Sequence, residues 1–456
     1  MKVAVIGGGV AGSGVAIYLQ NLGIDVTLFE KKDSIVNGPP MCHLHAGRNL
    51  YPEISDAQCL QLLEESIELL RFYPESIDFR PTIVAVQKDV DVSLDKILNR
   101  LEKLKSRYAE LISKDKNNKV LGEIDEYYKI YNKKDILKLK NKEYKKPESL
   151  DDWMIPFAKN VDIESIKWPV ILVQEYGLNV FRIAASATML LDKNLKLNTE
   201  VTNIEKLDDG FLITYKENGE IKKEKFDYLI NAAGFETGIF DDMINEKKER
   251  FTEFKAAYVV KWREDIVWPE VVFLGERGTP KGMGQFTPYA NGYFQLHGMT
   301  KEITLFDDGL VKTKNSSYPK LPTHFIEKIE KGWDKEITRS NKAIKHLQKF
   351  IPSFEAKSGY KPLYGAQQIP GDDPDLRAAE VSFGDRYARC EIVKASSIFA
   401  MAREIQKELQ KLGAKPTKKE NKTLNPLEVD KLAMKIAESR NYPKEMGLVV
   451  NKKPLL

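Results

Sequence analysis

The chain begins with a pattern that leaves few folds open to it. The apolar run Val3-Ala4-Val5-Ile6 leads directly into Gly7-Gly8-Gly9-Val10-Ala11-Gly12. A helical spacing of apolar residues follows (Val15, Ala16, Leu19, Leu22), Gly23 stops it, and a second run, Asp25 to Phe29, ends at Glu30. The order strand, Gly-x-Gly-x-x-Gly, helix, strand and acid predicts a βαβ unit that holds an adenine dinucleotide. Gly7 permits the tight turn out of the strand. Gly9 has no Cβ and lets the main chain approach a diphosphate, and Gly12 lets helix and strand pack closely. The helix N-terminus adds unpaired N–H groups and a positive dipole end. Glu30, eighteen residues beyond Gly12, can accept both ribose hydroxyl hydrogens and would repel a 2′-phosphate, which disfavours NADP. On this motif alone FAD and NAD both stay open. Because the motif starts at residue 3, no signal peptide or transit segment is expected ahead of it.

The rest of the composition narrows the class. With 456 residues, 42% hydrophobic and 30% charged, the chain can bury a large core and predicts two or three domains. No apolar run approaches a membrane span, and a net charge of +4 gives no global case for nucleic acid. Cys42, Cys59 and Cys390 are three, widely spaced; they form neither a zinc spacing nor a disulfide framework, which suits a reducing cytoplasm. His43 and His45 lie one residue apart, but no further His or Cys stands near them, so no metal site is expected.

A loop of turn formers, Lys31 to Pro40, precedes Met41-Cys42-His43-Leu44-His45-Ala46-Gly47. Here the layout resembles the D-amino-acid-oxidase-like FAD oxidoreductases, in which a loop after the ribose acid runs along the flavin. His45-Ala46-Gly47, followed by Tyr51-Pro52 and a helix, looks most like the L-2-hydroxyglutarate oxidase branch, and is more distantly similar to malate:quinone oxidoreductases. Two later features stand in the family's order. Leu195 to Ile204 reads as one strand, in which Glu200-Val201 matches the place where the family's residue after the acid holds the adenine through its main chain. Phe226 to Asn231 is an apolar strand that ends in Ala232-Ala233-Gly234, small residues where main chain approaches the diphosphate and ribityl region. The resemblance therefore favours FAD over NAD. It implies cofactor contacts at Gly7, Gly9, Ala11, Gly12, Glu30, Lys31, His45, Ala46, Gly47, Val201, Ala232, Ala233 and Gly234.

The expected fold is α/β, a split Rossmann-like FAD-binding domain with a mostly antiparallel β-sheet substrate domain and a charged helical insertion. The FAD domain is expected at 1–87 and 169–249, the insertion at 88–168 and the substrate domain at 250–350. Residues 351–412 should close the FAD domain with a helix from about Glu391 to Leu412, and 413–456 should be a basic, solvated tail. Ser55-Asp56-Ala57-Gln58 predicts a capping box opening a helix. Leu94, Ile97, Leu98, Leu101 and Leu104 predict an amphipathic helix in the insertion. Gln285, Thr287, Tyr289, Tyr293, Gln295 and His297 would put polar side chains on one sheet face as a floor over the flavin, with a turn at Asn291-Gly292. Tyr364 to Asp373 reads as a turn-rich loop, and His324 and His346 as loop and surface helix.

His297 is the candidate base, since a histidine titrates near neutrality; a structural histidine is the alternative. In the family a late strand, loop and helix N-terminus meet the flavin, and the chain offers Arg386-Tyr387-Ala388-Arg389-Cys390 there instead of a glycine-rich loop. Arg386 and Arg389 are candidates for holding a substrate carboxylate, with surface roles as the alternative. The implied reaction is oxidation of a CH–OH or CH–NH centre in a small organic acid, with oxygen, a quinone or a protein as acceptor. Contact with a membrane surface would be peripheral at most. The alternatives are an NAD-dependent dehydrogenase, an FAD enzyme acting on a macromolecule such as tRNA, and a flavin-binding protein without catalysis.

Overall fold

The computed structural model describes residues 1–38, 43–45, 54–331, 337–372, 380–391, 394–417 and 422–452, with main chain alone at 43–45 and 380. Two sheets dominate. The first has six strands, with Lys2–Ile6 at its centre between Asp25–Phe29 and Tyr228–Asn231, both parallel to it. Tyr387–Glu391 extends it in parallel beyond Tyr228–Asn231, Glu380–Gly384 adds an antiparallel edge, and Leu195–Lys196 closes the other side. Continuous apolar strands of this kind are buried on both faces, as a parallel sheet requires. Val3, Ala4 and Val5 have no exposed surface. The helix Val10–Asn21 covers one face together with Val180–Leu191 and Ile398–Lys411. A three-stranded meander, Thr199–Leu207, Gly210–Glu217 and Glu220–Phe226, covers the other.

The chain read as one strand from Leu195 to Ile204 divides in two. Asn198 turns it at φ 51°, sending Leu195–Lys196 to the parallel sheet and Thr199–Leu207 to the meander.

The second sheet has nine strands and is mostly antiparallel. Its long member, Arg250–Lys261, pairs with Tyr293–Gly298, with Leu310–Lys312 and over eight positions with Leu363–Pro370. This last strand corrects the turn-rich loop expected at 364–373: Gly365, Pro370 and Gly371 look like breakers locally, but the partner strand supplies the ladder. Asn291 and Gly292 both have positive φ in the turn after Gly284–Pro288, as the hairpin signal required. Residues 82–87 join this sheet in parallel with Glu270–Leu274, and Tyr128–Tyr131 and Ile166–Val173 extend it. The stretch 88–168 thus supplies one strand of the sheet and the first residues of another, as well as helices.

The helix Asp56–Phe72 opens with the capping box at Ser55 and Gln58. Leu94–Lys114 lays Ile97, Leu101 and Leu104 against it, and the buried Arg100 donates to Asp56 and to the carbonyl of Ile54. The helix expected from Glu391 starts at Ile398, because Tyr387–Glu391 continues as a strand. His346 is buried, not on a surface: it sits on the inner side of Thr338–Gln348 and donates from Nε2 to the carbonyl of Gly282 at 2.9 Å. His324 is exposed beside Asp308.

The region beyond Leu412 departs most from expectation. Residues 422–452 are folded onto the body: the helix Pro426–Ser439 buries Val429, Ala433, Ile436 and Ala437 against Val180–Leu191. Asn179 donates to the carbonyls of Met446 and Leu448, and Arg182 pairs with Asp430. The basic composition hid an amphipathic helix whose lysines cover only its outer side.

Candidate active site

A cavity of about 1200 Å³ runs from the glycine loop to the second sheet. At its first end the loop takes up the geometry its glycines allow. Gly7 has φ 98°, and a Cβ there would lie 2.5 Å from the carbonyl oxygen of Ala232. A Cβ on Gly12 would lie 1.9 Å from the carbonyl oxygen of Gly7, so this glycine serves close packing of helix on strand. A Cβ on Gly9 would meet nothing within 4 Å, so there the open space belongs to the cavity that Gly9 lines. No side chain caps the helix that Gly9 opens, which leaves its first N–H groups to a ligand.

Glu30 lines the same end and is buried. Its carboxylate accepts from the N–H of Gly8 at 2.8 Å and of Lys32 at 2.9 Å. Burial pushes its pKa up, against the pull of those two bonds and of the lysines nearby. Lys31 reaches Glu236 at 2.7 Å across the rim. Val201, Ala232, Ala233 and Gly234 line the cavity with Ala11. Thus the residues expected from three separate segments meet around one space. Of the segment at 45–47, the strand His43–His45 pairs with Gly177–Asn179; the side chain of His45, and Ala46 and Gly47, lie outside the described residues.

At the far end the second sheet contributes Lys255, Gln295, Tyr364 and Gln367, and the loop after Glu270–Leu274 contributes Arg277. Lys255 Nζ lies 2.7 Å from Glu253 and donates to Gln367 Oε1 at 2.7 Å. Arg277 donates to the other oxygen of Glu253. One buried carboxylate therefore holds two cations side by side at the cavity wall. Arg277 Nη1 is buried with no hydrogen-bond partner among the described residues. Sequence reasoning missed Lys255 and Arg277; neither lies in a motif, and only the pairing of distant strands brings them to the glycine loop.

The three side chains singled out for catalysis lie elsewhere. His297 is buried on Tyr293–Gly298, on the face that carries Gln295, and does not itself line the cavity, although Gln295 and Met299 on either side of it do. Arg386 takes φ 53° in the hairpin between Glu380–Gly384 and Tyr387–Glu391 and does not line the cavity. Arg389 is committed to a buried ionic cluster. Its Nε donates to Asp241 at 2.8 Å, and Asp241 also accepts from Arg250 and Tyr387. Arg250 in turn donates to Glu391 at 2.8 Å, which pairs with Lys248 at 2.7 Å. The polar face expected as a floor is partly self-occupied. Glu270 accepts from Gln285 and Thr287 and pairs with Arg80 at 2.6 Å.

Residues 2–129 match the FAD dependent oxidoreductase family (DAO). No curated protein sequence matches the chain. Solved structures with the same fold include the glycerol-3-phosphate dehydrogenase of Bacillus halodurans complexed with FAD. It is 13% identical with a TM-score of 0.55, over 92% of this chain and 66% of that one. The L-proline dehydrogenase of P. horikoshii is 14% identical with a TM-score of 0.57, over 89% and 93%. The L-alpha-glycerophosphate oxidase of Mycoplasma pneumoniae with FAD bound is 16% identical with a TM-score of 0.58, over 92% and 96%. The family match at the glycine loop and the fold shared over nine-tenths of the chain lead to one assignment: this is an FAD-dependent oxidoreductase whose residues 2–129 match the DAO family and whose remainder shares the fold of the solved structures, with no branch singled out.

Proposed function

We propose that the protein oxidises a CH–OH or CH–NH centre of a small anionic substrate, an amino acid, a 2-hydroxy acid or a glycerol-phosphate-like compound. Bound FAD supplies the redox chemistry by accepting a hydride, and the protein binds and orients. Glu30 would hold the adenosine ribose, Val201 the adenine, the Gly7–Gly12 turn and helix N-terminus the diphosphate, and Ala232 to Gly234 the approach to the ribityl chain.

The observation that carries the substrate class is Arg277. Its Nη1 is desolvated and has no partner among the described residues at the wall of the cavity, a state that a carboxylate or phosphate oxygen would relieve. Glu253 fixes the guanidinium from behind and sets Lys255 beside it, so the two cations are pre-positioned for one anion. His297 and Arg386 have no part in this reading because neither lines the cavity, and Arg389 none because its guanidinium belongs to Asp241. The substrate relatives named above, which act on glycerol phosphates and on L-proline by their names, lend support to both kinds of centre. Oxygen, a quinone or a protein would complete the cycle as acceptor.

The test is anaerobic bleaching of the flavin by panels of amino acids, 2-hydroxy acids and glycerol phosphates. One class should bleach it, and R277M should raise the concentration needed by about a hundredfold, the loss of roughly one charge-assisted pair. Bleaching that R277M leaves untouched would remove Arg277 from the site.

A further inference from the structure

The C-terminal segment reaches the cofactor cavity through Arg440, which follows the helix Pro426–Ser439 and lines the cavity. Its guanidinium donates to the carbonyls of Ile35 at 2.5 Å and Val36 at 3.2 Å, and to Ser34 Oγ at 3.1 Å. Its own carbonyl accepts from Lys361 Nζ at 2.7 Å, and the guanidinium stands 5.7 Å from the ring of Phe181. The turn it grips is strained. Val36 sits at φ 59°, in the left-handed region that a β-branched residue avoids. Val36 is buried, and its N–H donates to the carbonyl of Gly8 at 2.7 Å. Val36, Asn37 and Gly38 line the cavity. Within the turn the Asn37 side chain donates to the carbonyl of Ser34, but the valine itself disfavours this backbone, and such conformations persist only where the surroundings over-determine them. Gly8 holds one side of the turn, and Arg440 holds the other.

We propose that Arg440 is a positioning residue through which segment 422–452 clasps the cofactor site, holding Val36 in the left-handed turn that keeps the glycine loop in its FAD-binding shape. The proposal rests on the cavity being the FAD site. The segment itself does not depend on Arg440 for its attachment. Arg182 with Asp430, Asn179 with two carbonyls, and Asn451 with Asp78 and Phe79 anchor it separately.

The experiment uses the full chain with R440A, R440K, V36G and R440A/V36G, and two readouts. One is amide exchange of segment 34–38 in FAD-free protein; the other is the rate of FAD release. R440A should raise exchange at 34–38 with the remainder unchanged, and speed FAD release about tenfold, as loss of a strained, ligand-facing turn would. R440K should behave like R440A, because an ammonium cannot bridge three fixed acceptors. In the V36G background, where left-handed backbone carries no steric penalty, R440A should change release by less than about threefold. If R440A does not accumulate as folded protein, R440K carries the same comparison in both backgrounds. Wild-type behaviour of R440K would mean that charge alone matters, and equal effects in both backgrounds would mean that Arg440 does not act through Val36; either overturns the proposal. Wild-type protein that takes up no FAD would sink the FAD reading instead, while the exchange readout would still decide the clasp.

Discussion

Two glycines in the same motif do opposite things, and substitution separates them. A methyl on Gly9 would enter open space in the cavity, whereas one on Gly12 would lie 1.9 Å from a main-chain oxygen. G9A should therefore leave the melting temperature of FAD-free protein within a few degrees and weaken FAD binding by about tenfold or more. G12A should instead destabilise the FAD-free fold by about 1–3 kcal/mol, the usual cost of overpacking. Calorimetry of the apoprotein and fluorescence titration with FAD distinguish the two, and similar melting losses for both would contradict the geometry. The glycines were legible from the sequence because each has a local reason for lacking a side chain. Arg389 was not. Its partner Asp241 stands 148 positions away, and nothing in Arg-Tyr-Ala-Arg-Cys tells a clamp for substrate from a clamp for the fold. Arg277 and Lys255 are the converse case, since their shared carboxylate at Glu253 shows only when the strands are paired.

Elements with their own local signals were legible: Ser55-Asp56-Ala57-Gln58 marks the start of the helix Asp56–Phe72, because both partners of its capping box are written within the segment. Elements defined by their partners were misread, as with Leu363–Pro370, whose ladder comes from Arg250–Lys261. The start of that long strand also bears on stability. Arg250 is fully buried and joins Asp241, on the helix Thr237–Met243, to Glu391, on the last parallel strand. One side chain thus ties the end of the second sheet to the first. R250A would remove the cation shared by two buried carboxylates, leaving Asp241 to Arg389 and Glu391 to Lys248, and should cost about 3–5 kcal/mol, read as a shift of the denaturant midpoint. A loss below about 1 kcal/mol would mean that water reaches and solvates the cluster.

For the molecule as a whole, two buried glutamates predict that acid acts in stages. At Glu391 burial raises the pKa, but Arg250 and Lys248 outweigh it and hold the carboxyl below its ordinary value. A carboxyl depressed in the fold contributes stability that is present above its unfolded pKa and is lost as pH falls through the folded one. Glu30 has the opposite sign: burial dominates and lifts its pKa above the ordinary glutamate value. Protonating Glu30 therefore does not weaken the FAD-free fold. It removes the ionised carboxylate proposed to accept the ribose hydroxyls, so affinity falls as pH drops through that raised pKa. FAD should leave at a mildly acidic pH while circular dichroism still reports a native fold, and unfolding should follow only at lower pH, where Glu391 takes up its proton. E30Q should bind FAD about tenfold more weakly at neutral pH, the loss of one charge-assisted hydrogen bond, and should flatten the mild-acid phase of release. Release and unfolding that coincide at every pH, or a mild-acid phase that survives in E30Q, would show that Glu30 does not govern retention of the cofactor.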